Sequence, residues 1–188
     1  MIKANNLSKS FNGNRIFSGI EFNVEKSRIL GVVGNNGSGK TTLLKIVAGI
    51  INSDTGSINF KEKIKLDFLG HENMLYQNFS ILENINFFSE ISGFKISSEL
   101  QDEIEKALGL QNILEKKISD LSYGQRKKAS MIRSLISDPD LLILDEPFSN
   151  LDSESTDSFI SILKKLKKSG KSIIISSNRK DIVGSVSD

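Results

Sequence analysis

Cysteine is absent from all 188 residues, which excludes disulfide stapling and thiolate metal sites and fits a reducing compartment. Charge of one sign is also missing. The 25 basic and 23 acidic side chains leave a formal net charge of +2, too little to argue for a nucleic-acid surface or for attachment to a membrane by charge. No apolar run is long enough to cross a bilayer, and the opening "MIKANNLSKSF" lacks the apolar core of a signal peptide. The expected location is therefore cytosolic, and any membrane role has to come through a partner rather than direct insertion. Internal repeats and low-complexity segments are missing too. Histidine occurs once, as His71 within "KLDFLGHENMLYQ", where it can bind, catalyse or merely pack.

What is present suits one globular unit: 38% of the residues are apolar and 26% charged. The run "RILGVV", Arg28 to Val33, is a short β-branched strand that enters a glycine-rich loop and then "TTLLKIVAGI", which has helical spacing. "FSGIEFNVE" alternates as a half-buried strand does. "GSINF" and "IKLDFLG" add short strands, expected in a small antiparallel layer beside the main sheet. From about Ile81 to Ile136 apolar residues recur three and four apart, so a helical insert, bounded at approximately 78–136, is expected there, with Ser97 or Ser98 as an internal helix cap. "LLILDEP" then reads as a buried strand. A helix follows from about Ser153 to Lys168, with Phe159, Ile162, Leu163 and Leu166 on one face, stopped by Gly170; "KSIIISS" is another buried strand. Alternating strands and helices predict an α/β fold with a mostly parallel sheet, in a single domain over residues 1–188.

Three motifs carry chemistry. "GNNGSGKTT", Gly34 to Thr42, matches the phosphate-binding pattern G-x-x-x-x-G-K-[ST] in its required place between strand and helix. Its glycines Gly34, Gly37 and Gly39 let the backbone curl, so that N–H groups through Asn35, Asn36 and Ser38 face phosphates at a helix N-terminus. Lys40 reaches the β- and γ-phosphates, Thr41 offers a hydroxyl to Mg²⁺, and Thr42 contacts the α-phosphate. The acids of "LLILDEP" stand at the carboxyl edge of a strand, where open α/β sheets bind ligands. Asp145 fits the acid that holds Mg²⁺, and Glu146 the one that polarises the water attacking the γ-phosphate. Alone, such a pair is more often a solvated turn; the upstream loop decides otherwise. In the third motif, "LSYGQRKKASMIRSLISDPD", Ser122 caps a helix whose N-terminus points its dipole and N–H groups at an anion.

This last motif resembles the L-S-G-G-Q signature of ATP-binding cassette (ABC) ATPases: Leu121, Ser122, Gly124, Gln125 and Arg126 match, and Tyr123 replaces the first glycine. The resemblance implies a P-loop NTPase fold with a RecA-like core, and ATP and Mg²⁺ as ligands. It also implies a second copy of the chain, paired head to tail so that Leu121 to Gln125 of each closes over the nucleotide of the other. Phe11 stands where the family stacks an aromatic ring on adenine, and Asp152 in "SNLD" where it couples the two sites. His71 occupies the place of a glutamine that contacts Mg²⁺ and water and relays nucleotide state to an integral membrane permease. The string "LGHENMLYQNFSILENINFF", with Glu83 and Asn84 in register, is similar to the ATPase subunit of the haem exporters of cytochrome c maturation, the CcmA type. The implied role is to power haem export from the cytoplasmic face of the inner membrane, with no nucleic acid as partner and with His71 as a nucleotide-state sensor rather than a haem ligand.

The family's histidine after the last strand is replaced by Asn178, which donates a hydrogen bond but carries no charge, so slower hydrolysis is expected. Phe87 and Phe88 are either exposed at a permease-docking groove or core of the insert. Lys164, Lys165, Lys167 and Lys168 read as a solvated helix end. With the chain stopping at Asp188, the extra C-terminal helices of larger relatives are expected to be absent or reduced. Rival readings are an ATPase for another cargo (drug, lipid or ion), a soluble ABC protein that clamps nucleic acid, and a module that pairs on ATP but barely hydrolyses it.

Overall fold

A computed structural model describes residues 1–70, 74–94 and 98–188, so His71 and Ser97 lie outside the described residues. Its strands are β1 (Ile2–Phe11), β2 (Asn14–Val24), β3 (Ile29–Val33), β4 (Thr55–Phe60), β5 (Leu66–Leu69), β6 (Leu141–Asp145) and β7 (Ser172–Ser177). The helices are α1 (Lys40–Val47), α2 (Ile81–Ser92), α3 (Ser98–Ala107), α4 (Tyr123–Ile136), α5 (Ser153–Lys168) and α6 (Lys180–Val186).

Two sheets result. β2, β1 and β4 pair antiparallel in that order, and β3, β7, β6 and β5 form a parallel sheet. All residues of β6 and β7 are buried, because the parallel sheet is covered on both faces. Leu141, Ile143 and Ile174 face α1 and the antiparallel layer. Leu142, Leu144, Ile173 and Ile175 face the helices, among them Ile81 and Ile85 of α2, Ile132 of α4 and Phe159 of α5. Among the described residues no helix is long and apolar enough to cross a membrane.

Helix α5 spans the residues its spacing predicts, burying Phe159, Ile162 and Leu163 with Leu166 packed against them, and Gly170 beyond it has φ 98°. Its lysine-rich end is not purely solvated: Lys165 pairs with Glu103 of α3 and Lys167 with Asp188. One strand expectation needs correction, and one strand was not expected. Leu66–Leu69 does not join the antiparallel layer but lies parallel to β6, Leu66 beside Leu141 and Leu69 beside Leu144. Four residues hold too little alternation to show which sheet they enter. The layer is completed instead by β1, whose Ile2, Ala4 and Leu7 are buried but whose alternation is broken at Asn6, a residue in left-handed conformation where the register slips.

Helix α6 also lacks a plain sequence signal. It lies so close to β3 that a Cβ at Gly31 would come within 2.1 Å of Val183 Cγ1. Glycine is therefore required in the strand that leads into the phosphate loop.

Candidate functional site

The loop between β3 and α1 starts where Gly34 N donates to Ser177 O at 3.4 Å. It ends at Gly39, which caps α1 in left-handed conformation, φ 91°, with no side-chain hydrogen bond across the helix end. A Cβ on Gly39 would lie 2.5 Å from Ile16 Cγ2, so the turn admits glycine both for its φ and for the approach of β2. A cleft of about 360 Å³ opens there, lined by Ile16, Asn36, Gly37, Gly39, Lys40, Thr41, Thr42 and Glu146.

Polar contacts connect the loop to the acids at the end of β6. The Lys40 ammonium, 8% exposed, donates to Gly34 O at 2.8 Å and Asn35 O at 3.1 Å and faces Glu146 Oε1 at 3.1 Å. Thr41 Oγ1 donates to Asp145 Oδ2 at 2.7 Å, and Ser176 Oγ to Asp145 Oδ1 at 2.6 Å. The Ser176 hydroxyl also accepts from Glu146 N at 3.0 Å. Glu146 adopts φ 48°, an uncommon value for a residue with a side chain, and its buried Oε1 accepts no hydrogen bond. The amide of Asn178 donates to Glu146 Oε2 at 3.3 Å, and its side-chain amide to Asn36 Oδ1 at 3.4 Å. Asn178 thus bridges the acid, through its backbone N–H, and the phosphate loop, through its side chain.

The arrangement suits a polyphosphate with a hard cation. Backbone donors at an uncapped helix end and a buried ammonium offer positive charge, and Glu146 Oε1, paired with that ammonium, is an acceptor that would be released if Lys40 turned to a phosphate. No group of three His, Cys, Asp or Glu side chains among the described residues could hold a metal by itself. A cation between Thr41 and Asp145 would have to share its coordination with phosphate oxygens and water, which is the habit of Mg²⁺.

The signature lies elsewhere. Ser122 caps α4 through a closed box: Gln125 N donates to Ser122 Oγ at 3.2 Å, and Ser122 N to Gln125 Oε1 at 2.9 Å. Tyr123 is exposed, whereas Leu121, expected among the ligand contacts, is a core side chain that anchors the helix start. Gln125 is occupied by the box. None of these residues lines the cleft. Asp152 caps α5, accepting from Ser155 N at 2.7 Å, and pairs with Lys128 at 3.4 Å. The Ser155 amide is the main cause that holds its carboxyl down to about 2. Phe11 lies outside the cleft lining, exposed at the β1–β2 turn with the Lys9 ammonium 5.2 Å from its ring centre.

Around α2 the picture is structural. Glu83 completes a capping box with Ser80, and Asn84 is buried, accepting from Tyr76 N at 2.8 Å. Phe87 and Phe88 are half-buried in a ring cluster whose exposed members are Tyr76 and Phe79. Sequence reasoning missed Ile16 and Ser176. Ser176 could have been suspected as a hydroxyl ending an otherwise apolar strand; Ile16 gives no signal.

A family model described as ABC transporter matches residues 17–149. An uncharacterized ABC transporter ATP-binding protein of Methanocaldococcus jannaschii is 38% identical over 181 residues, covering 95% of this chain and 68% of that protein. The lantibiotic transport ATP-binding protein SrtF of Streptococcus pyogenes is 31% identical over 185 residues, covering 95% and 80%. Among solved structures, a dimeric ATP-binding cassette in a post-hydrolysis state bound to ADP and Pi superposes with a TM-score of 0.86 at 21% identity, over 99% of this chain and 91% of the other. Sequence and fold thus converge with the phosphate loop and its facing acids: the chain belongs to the ABC transporter family, as an ATP-binding subunit that hydrolyses ATP.

Proposed function

We propose that residues 1–188 form one cassette, with a helical subdomain at approximately 78–136, that pairs head to tail with a second copy around two Mg-ATP and drives an integral membrane permease. The contact that carries this reading is the meeting of Lys40 with Glu146, and of Thr41 with Asp145, at the uncapped start of α1. Entering phosphates draw Lys40 away from the carbonyls of Gly34 and Asn35 and place its charge on the β- and γ-oxygens. Glu146 Oε1, which accepts no hydrogen bond, then holds the attacking water by one of its protons. Thr41 and Asp145 would hold Mg²⁺, with His71 as a further contact, and the ion supplies charge neutralisation at the phosphates. Asn178 keeps Glu146 in line through its backbone N–H. Phe11 stacks on adenine.

In the paired state Ser122 and Gly124 in one copy face the γ-phosphate of the other, and Asp152 connects the two sites. Hydrolysis removes the bridging charge and the pair opens. Support for pairing comes from the cassette of similar fold, which is dimeric. The permease docks against the ring cluster of Tyr76, Phe79, Phe87 and Phe88, at the cytoplasmic face of the membrane. The likeness of "LGHENMLYQNFSILENINFF" to haem exporters favours haem as cargo. A second reading, export of another cargo, is favoured by the relative named for lantibiotic transport and by the capping roles of Glu83 and Asn84, which need no haem to account for them.

Glu146→Gln keeps the shape of the side chain and removes its charge. Its turnover should fall by about 10²-fold or more, and gel filtration with ATP should show a dimer; monomer alone would defeat the pairing reading. Tagged, expressed in its host and recovered from membranes with ATP, the same variant should carry a haem-export permease. A permease of another kind would keep the engine and replace the cargo. Asn178→His should raise turnover, since it restores a donor that can be charged; an unchanged or lower rate contradicts the slower hydrolysis expected from an uncharged Asn178.

A further inference from the structure

The hairpin of β1 and β2 is gripped twice by the segment that contains the end of the phosphate loop and α1. At one end Gly39 meets β2, where a Cβ would come within 2.5 Å of Ile16 Cγ2 and 3.2 Å of Phe17 Cδ1. Ile16 is left between Phe17, opposite Lys9, and Arg15, opposite Ser10, so it is the extra residue of a bulge, and it lines the cleft. At the other end the chain leaving α1 returns to β1 at Asp54, whose N–H donates to Ser8 O at 2.9 Å. Both carboxylate oxygens of Asp54 are engaged: Oδ1 accepts from the Lys9 ammonium and Oδ2 from Ser10 N, each at 2.7 Å.

The clamped ammonium has a second contact. Phe11 stands two residues along the strand, on the same face, and Lys9 Nζ lies over its ring at 5.2 Å from the centre, within cation–π range. Phe11 is also held by the backbone, since the two-residue turn of Asn12 and Gly13, at φ 50° and 80°, closes the hairpin directly beyond it. The Lys9 side chain is only 15% exposed, whereas Phe11 is 46% exposed. One face of the ring is thus covered by a fixed cation, and a planar ligand has the other.

We propose that Lys9, clamped by Asp54, is a positioning residue for the nucleobase: it sets the Phe11 ring before a nucleotide arrives, so that base and phosphates are both placed by residues 39–54. The inference rests on the stacking of Phe11 on adenine given above. Ordering an exposed side chain during binding costs affinity, and a ring already held avoids that cost.

The chain has no tryptophan, so Phe11→Trp puts a single reporter at the hairpin tip. Mg-ATP should quench it, and magnesium tripolyphosphate, which has no base, should reverse the quenching by competition; the two titrations give both dissociation constants. In that background Lys9→Met, which keeps the length and removes the charge, should raise the ATP dissociation constant about three- to tenfold, the scale of one side chain ordered on binding. Tripolyphosphate should bind as before, and Lys9→Arg, which keeps the cation, should restore ATP binding. Equilibrium dialysis of ATP against Lys9→Met with Phe11 in place should repeat the loss without the reporter. Unchanged ATP affinity in both backgrounds would overturn the proposal. So would an equal loss for ATP and tripolyphosphate, which marks a hairpin displaced as a whole, or failure of the arginine variant to restore binding. If ATP binds in dialysis but does not quench the reporter, the stacking reading falls and the proposal with it; quenching that Lys9→Met leaves unaltered removes Lys9 alone.

Discussion

Two helix starts in this molecule are built in opposite ways. α1 begins at Gly39, which has no side chain to offer, so the donors of its first turn stay open to whatever enters the cleft. α4 begins at Ser122, whose box with Gln125 satisfies two donors and leaves the amides of Tyr123 and Gly124 without a partner among the described residues. The start of α1 is walled by its own chain, with Lys40 buried beside it, while that of α4 faces solvent with Tyr123 exposed. On the pairing proposed above, the start of α1 is an anion site within one chain and that of α4 is half a site finished by the second copy, and their capping differs accordingly.

The contrast can be broken at its deeper end first. Lys40→Ala should lower kcat by about 10²-fold or more, since it deletes the charge aimed at the transferred phosphoryl; single-turnover ATP cleavage reads this, and near-normal turnover would mean that α1 alone supplies the site. At the shallower end, Ser122→Ala should cost about 1 kcal/mol of stability as a lost cap, leave ATP binding by one chain intact, and weaken ATP-driven pairing. Thermal melting and sedimentation with ATP separate these effects, and loss of binding by the single chain would erase the distinction between the two starts.

A third helix start sharpens the comparison with the smallest effect. Asp152 caps α5 with a charge, and its carboxyl is held near 2 against an ordinary 3.8, foremost by the Ser155 amide. The folded value is depressed, so the cap contributes fully above the unfolded value and is lost as pH falls from about 3.8 towards 2. The stability difference between the native chain and Asp152→Asn should be flat above pH 4 and shrink below it in acid melts. The Ser122 cap has no titrating group and should show no such limb.

Much of the site was legible because its parts are local. A loop of fixed spacing, a strand buried on both faces and an acid pair at its end lie within short windows, and "GNNGSGKTT", "LLILDEP" and the helix at Ser153–Lys168 stand where sequence places them. What escaped depends on distant partners. β1 is hidden by the break at Asn6, β5 is too short to declare its sheet, and α6 shows itself only through the space it denies Gly31. Lys127, fully buried in α4, is the sharpest example, since a lysine beside two other basic residues on an amphipathic helix reads as surface. Its burial comes from what the chain folds against it, not from anything in its own neighbourhood.

The order of the parallel sheet has a consequence for the time at which the protein becomes competent. β3, which leads into the phosphate loop, is an edge strand whose neighbour is β7, Ile29 lying beside Ile173. Synthesis proceeds from the N-terminus, so the nucleotide loop emerges early and waits, tethered to an unpaired strand, until β7 has left the ribosome. Closing so long a loop makes this pairing a late and slow event. ATP affinity is thus acquired only once β7 is available, and nascent chains truncated before Ser172 should fail to hold nucleotide although they contain the whole phosphate motif.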